Sequence, residues 1–242
     1  MSFSFPHTIR ESPKAKHVRL SMSVRDGLVV IVPKGFDHSR IPELLTDRKR
    51  WLEKTALRIE EHREFLQAQP PDAVPARINL TAISEEWAVE CLQSDGAMLR
   101  MRECEGNRLL LTGDVANFQV CQCLFKRWLA HKARAHLVPW LMGLAKENGF
   151  RVSKTAVKFQ RTRWGSCSRR GTINLNAQSL FLPPDIVRYI LIHELCHTVH
   201  LNHGKRFWAL VGKHSPDYKE KRKRLRQAWR LVPAWMERCG TV

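Results

Sequence analysis

Residues 192–204 read Ile192-His193-Glu194-Leu195-Cys196-His197-Thr198-Val199-His200-Leu201-Asn202-His203-Gly204. They contain the pattern H-E-x-x-H, at His193, Glu194 and His197. A helix turns about 100° per residue, so positions four apart lie about 40° apart around its axis. His193 and His197 can then bind one ion from adjacent turns, and Glu194 beside them can reach a water held on that ion. A catalytic zinc takes three protein ligands and keeps a fourth position open. His203 is the third candidate ligand, with Gly204 expected to permit the turn that brings it back. His200 competes, because seven residues along a helix point the same way as His193. The axial distance disfavours it: about 10.5 Å from His193, against about 6 Å for His197. His200 is then a substrate-facing or helix-end histidine.

The segment before the motif supports a helix. Pro183 and Pro184 suit a helix start, and Asp185 suits the positive end of the helix dipole. No glycine or proline occurs from Ile186 to Leu201. Ile186, Val187, Ile190, Leu191, Ile192, Leu195 and Val199 make this stretch apolar nearly all round, which predicts a buried helix. H-E-x-x-H also arises by chance on surface helices. Burial argues against chance, because a buried glutamate needs a partner or a metal.

The chain has 242 residues, 43% of them hydrophobic, enough for a sizeable core. No run reaches the ~20 apolar residues of a membrane helix. The opening MSFSFPHTIRESPK does not read as a secretory signal. Seven cysteines without a disulfide-framework spacing point to a reducing cytoplasm. Cys121 and Cys123 are read as packing residues. The net charge of +18, with pI near 10.2, favours polyanionic partners such as DNA or RNA.

Along the chain, Val18 to Arg25 alternates and Leu28 to Val32 is continuous, which predicts a hairpin turning at Asp26-Gly27. A helix is expected from Ser39 to Gln67, with Trp51 among its core positions. Residues 69–75 are a turn-rich linker. Short strands follow, including Trp87–Leu92 and Leu109–Leu111, then a long helix over 116–146, bent or broken near Pro139 and ended by Asn148-Gly149. Val152–Phe159 reads as a strand. Residues 161–176 read as a hairpin turning at Arg169-Arg170-Gly171, whose edge can take an extended peptide. Phe207-Trp208 is expected to pack over the motif helix. Asp217 to Arg230 reads as a docked helix whose basic outer face is a candidate nucleic-acid surface: Lys219, Lys221, Arg222, Lys223, Arg224 and Arg226.

Four stretches, RWGSC at Arg163–Cys167, INLN at Ile173–Asn176, HELCH at His193–His197 and NHGKRFW at Asn202–Trp208, resemble together the YgjP-like metallopeptidase family, related to SprT-type and WLM-type proteases. A looser likeness covers VRDGLVVIVPKG near the start; residues 75–115 match poorly. The resemblance implies an α+β zincin-like fold, with His193, His197 and His203 as ligands of one zinc ion and Glu194 as the catalytic acid/base. Related enzymes act on proteins attached to DNA, which fits the charge.

The expected architecture is therefore α+β: a motif helix packed against a small, mostly antiparallel sheet, plus an N-terminal hairpin and helix. The expected divisions are 1–75, 76–149, 150–215 and 216–242. The expected activity is zinc-dependent hydrolysis of peptide or protein substrates. Candidate substrate or transition-state contacts are Arg163, Trp164, Ser166, Asn174, His200 and Tyr218. A metal-dependent nucleotide or phosphoester hydrolase would use the same chemistry. A non-catalytic, metal-stabilised nucleic-acid-binding module would have no need of Glu194.

Overall fold

A computed structural model describes residues 5–23, 26–67, 73–94, 98–160 and 162–236. The chain falls into two compact units, Met1–Pro71 and Asp72–Val242.

In the first unit, β1 (His7–Glu11), β2 (Arg19–Ser23) and β3 (Gly27–Val32) form a sheet in the order β1-β3-β2. β2 and β3 make the expected antiparallel hairpin, but Ser23 pairs with Gly27, so the loop is longer than Asp26-Gly27. Val24 and Arg25 lie outside the described residues. Gly27 opens the return strand at φ 61°, a conformation that disfavours a side chain. β1 runs parallel to β3, a non-local pairing that alternation does not reveal. The expected single helix is two, α1 (Ile41–Asp47) and α2 (Lys49–Gln67). They break at Arg48, whose N–H turns back to the Leu45 carbonyl. Leu28, Val30 and Val32 pack against Ile41, Leu45 and Leu52. Trp51, expected in this core, is 42% exposed.

The second unit has one hydrophobic core, with buried residues from Ile78 to Met236. Its first sheet holds β4 (Arg77–Leu80), β5 (Glu85–Gln93), β6 (Arg100–Cys104) and β7 (Arg108–Gly113), in the order β4-β5-β7-β6. α3 (Phe118–Asn148) begins at Asn117, whose side chain accepts the Val120 N–H, and stops at Gly149, φ 71°. The helix is not broken at Pro139: the proline forfeits one backbone bond, and Ala133, Leu137, Leu141 and Leu144 hold both sides of it in the core. Cys121 is buried there as expected, whereas Cys123 is exposed.

The second sheet of this unit holds β8 (Lys154–Lys158), β9 (Gly165–Cys167) and β10 (Thr172–Asn176), in the order β8-β10-β9. The β9–β10 hairpin is antiparallel as expected, but β8 runs parallel to β10. This sheet is mixed rather than mostly antiparallel. Asn176 ties the hairpin base together, its amide donating to the Gln160 and Arg163 carbonyls.

Three helices follow: α4 (Pro184–Cys196), α5 (Lys205–His214) and α6 (Tyr218–Leu225). α4 is the motif helix, and Ile186, Val187, Ile190, Leu191, Ile192 and Leu195 are each at most 3% exposed. Each such burial is worth about 1.5–3 kcal/mol, which offsets the cost of enclosing a polar motif. α4 ends at Cys196, not Leu201. The Thr198 hydroxyl bonds back to the Leu195 carbonyl, and the His200 N–H bonds to the Cys196 carbonyl. Val199 lies past this end and is 56% exposed. α6 is shorter than the expected basic helix and gives way to a 3₁₀ turn at Ala228–Leu231. Among the described residues no helix is long and apolar enough to cross a membrane.

Candidate metal centre

His193 projects from the last turn of α4 and His197 from its end, while His203 returns from the loop before α5. His203 Nε2 lies 3.1 Å from His197 Nε2 and 3.1 Å from His193 Nε2. A tetrahedral zinc with bonds of about 2.0 Å sets its ligand nitrogens about 3.3 Å apart, so this donor set fits such an ion. Gly204, expected to permit the return, is extended at φ −78° and ψ −177°, which any residue can adopt. The loop turns instead through the bond from the Gly204 N–H to the Asn202 carbonyl.

The protonation of the cluster follows from its contacts. His197 Nδ1 lies 3.0 Å from the His200 carbonyl, which can only accept, so Nδ1 carries the proton and Nε2 keeps its lone pair. His203 Nε2 faces two nitrogens and could share a proton with only one. Burial, then the neighbouring His197 and His203, lowers the His193 pKa to about 3. Burial also lowers those of His197 and His203. The lowered values favour neutral rings, and the three Nε2 atoms converge where a cation would satisfy them. Phe207, fully buried, lies under all three, with ring centroids 5.0 Å from His193, 4.4 Å from His197 and 4.8 Å from His203. Trp208 stacks on His203 at 5.5 Å, so Phe207-Trp208 packs on the motif as expected.

Glu194 is 5% exposed, and its Oε2 has no hydrogen-bond partner among the described residues. Burial raises its carboxyl to about 8, against the smaller opposing effect of Arg163. Its neighbour on the sheet side is Gly165 of β9. A Cβ on Gly165 would stand 2.7 Å from Glu194 Cγ and 2.8 Å from Oε1. Gly165 thus makes room for the carboxylate, a role that no sequence spacing signals.

The other candidates separate. Arg163 is exposed and acts on Glu194 through its charge. Trp164 is buried and stacked on Trp229 at 3.9 Å, a packing role. The Ser166 hydroxyl accepts from the amides of Gln160 and Asn174, so Ser166 and Asn174 brace the sheet. His200 touches the cluster through its carbonyl. It stays outside the ligand group because the helix has already ended, which removes the axial-distance premise. Tyr218 stacks on Trp208 at 5.4 Å.

The basic surface is also revised. Lys221 is buried and paired with Asp217 at 2.9 Å, and Arg224 holds Asp185 through contacts of 2.6 and 3.3 Å. Arg222 lies 4.6 Å over the Trp208 ring. Lys219, Lys223 and Arg226 remain as exposed cations.

No curated protein matches the chain significantly. Among solved structures it is similar to the metallopeptidase zymogen abylysin of Pyrococcus abyssi, at 28% identity and a TM-score of 0.35, covering 38% of this chain and 92% of that one. It is similar also to the zymogen jannalysin of Methanocaldococcus jannaschii, at 19% identity and a TM-score of 0.35, covering 38% of this chain and 96% of that one. The profile of the YgjP-like metallopeptidase domain matches residues 16–228, nearly the whole length, and the chain therefore belongs to the YgjP-like family and is a metallopeptidase-type hydrolase.

Proposed function

We propose that the protein hydrolyses peptide bonds, with His193, His197 and His203 holding one zinc ion and Glu194 acting as general base and then general acid. The observation that carries this reading is the convergence of three neutral imidazoles beside one buried carboxylate oxygen without a partner. Zinc bound there would supply Lewis acidity, polarising a carbonyl and lowering the pKa of water towards about 7. The buried Glu194 carboxyl, whose ionised form a cation held by the histidines would favour, takes a proton from the attacking water and delivers it to the leaving amide nitrogen. Its position in the core excludes competing solvent from that oxygen. β9 is a sheet edge, paired with β10 on one side only. An extended substrate added along it as a further strand would pass Gly165 and so reach Glu194. Arg163 is the candidate for stabilising negative charge as it develops on the substrate.

The net charge of +18 and the exposed Lys223 and Arg226 support substrates held near nucleic acid in the cytoplasm. Phosphoester hydrolysis would use the same water, and the family favours the peptide.

The test replaces Glu194 by glutamine. Glu194→Gln should fold and keep its zinc while peptide hydrolysis falls by about 10²–10⁴-fold. Unchanged turnover on the same peptides would remove Glu194 from the mechanism.

A further inference from the structure

We propose that the cleft beside His203 is a carboxylate-binding subsite, which selects substrates by an acidic side chain or by a free C-terminal carboxylate near the scissile bond. The proposal rests on the peptidase reading above.

The cleft measures about 1070 Å³ and is walled by His203, Lys205, Trp208, Tyr218, Lys219 and Arg222, among others, none of them acidic. Among the described residues Lys205, Lys219 and Arg222 form no ion pair, whereas Lys221 and Arg224 on the same helix are neutralised by Asp217 and Asp185. The two α6 cations that line the cleft, Lys219 and Arg222, are thus uncompensated. Uncompensated cations around one hollow attract an anion.

The wall is built to hold one planar anion. Trp208 lies nearly parallel to both His203 and Tyr218, with interplanar angles of 20° and 16°. Arg222 lies over the same Trp208 ring at 4.6 Å. A guanidinium seated on a ring keeps its in-plane N–H donors available, and their fork matches a carboxylate bidentately. His203 itself lines the cleft with Arg222, so a group bound there would lie near the reacting bond. A single hollow with one arginine and two lysines suits one anionic group. A nucleic-acid strand would call for a stripe of cations following successive phosphates.

The experiment measures binding by calorimetry to zinc-loaded Glu194→Gln. The probes are amidated peptides with one aspartate or glutamate moved through each position, the neutral amidated peptide, the neutral peptide with a free C-terminus, and a single-stranded oligonucleotide. One acidic position, or the free C-terminus, should bind roughly ten- to a hundredfold tighter than the neutral amide. Which probe gains identifies the source of the carboxylate. Arg222→Glu should abolish the gain, and Lys213→Glu, an equal charge change outside the cleft, should preserve it. Equal affinities across the peptides would overturn the subsite. So would an oligonucleotide that binds more tightly and depends on Arg222. Wild-type turnover of the same peptides separates the two readings. Arg222-dependent binding without any hydrolysis keeps the subsite and rejects the peptidase; hydrolysis without charge preference does the reverse.

Discussion

Replacing Gly165 by alanine tests the placement of Glu194 with one added carbon. The new Cβ would stand 2.7 Å from Cγ, 2.8 Å from Oε1 and 2.9 Å from Cδ of Glu194. Ordinary contacts between such atoms are about 3.5–4.0 Å, so a displacement of roughly 1 Å is required. The α4 backbone cannot supply it, because Ile192 and Leu195 on either side of the motif glutamate are fully buried. The side chain must therefore rotate. Gly165 has no positive φ, so alanine fits the backbone itself. A misplacement of about 1 Å at a reacting group costs on the order of a hundredfold in rate. Overpacking destabilises by about 1–3 kcal/mol, offset by about 0.4–1 kcal/mol from the stiffer unfolded chain. Gly165→Ala should thus keep its zinc and most of its stability, and lose about a hundredfold in kcat with little change in KM. The assay combines metal stoichiometry, thermal unfolding and peptide turnover. If Gly165 acts only through Glu194, the alanine should do nothing further to the residual rate of Glu194→Gln. Full activity in Gly165→Ala, or a further loss in the double variant, would refute this reasoning.

At equal folded fraction, His203→Ala should lose nearly all its zinc and His200→Ala should keep it, because His200 contributes only a carbonyl; metal analysis showing the reverse order would exchange their roles. Cys167 should resist alkylation at pH 8: burial first, and Glu194 second, raise its thiol to about 11, so the reactive thiolate forms only as pH climbs towards that value. Mass-spectrometric mapping should find exposed Cys123 labelled well before Cys167, and equal labelling at pH 8 would contradict the burial.

The histidine cluster was legible because its information is local. Four residues of helical spacing bring His193 to His197, and one short loop returns His203. The long helix, the β9–β10 hairpin and the Phe207-Trp208 packing were legible for the same reason. What escaped was set by partners distant in sequence. The pairings of β1 with β3, β5 with β7, and β8 with β10 are all parallel. Parallel neighbours need a crossover, and no adjacent turn announces them. The end of α4 at Cys196 depends on a hydroxyl back-bond that periodicity does not register. Arg224 was read as a free cation because Asp185, its partner, lies 39 residues away. Lys221 is different: Asp217 stands four residues before it, so that pairing was open to a helical reading. Gly165 was seen as part of a motif, but its space-making role exists only across the gap to Glu194.

Phe207 gives the candidate metal centre an aperture. A rigid aromatic floor under three imidazoles means that their ordering is completed when the chain folds, not when an ion arrives. Such a frame sorts ions by chemistry as well as by charge. Three imidazole nitrogens, with His203 Nε2 3.1 Å from each of the other two, would suit a small transition ion that accepts tetrahedral bonding. Magnesium and calcium, which prefer sets of oxygen donors, would meet three nitrogens instead. On the proposed reading, the aperture would disfavour the most abundant divalent cations of a cell, through a residue that offers no ligand atom of its own.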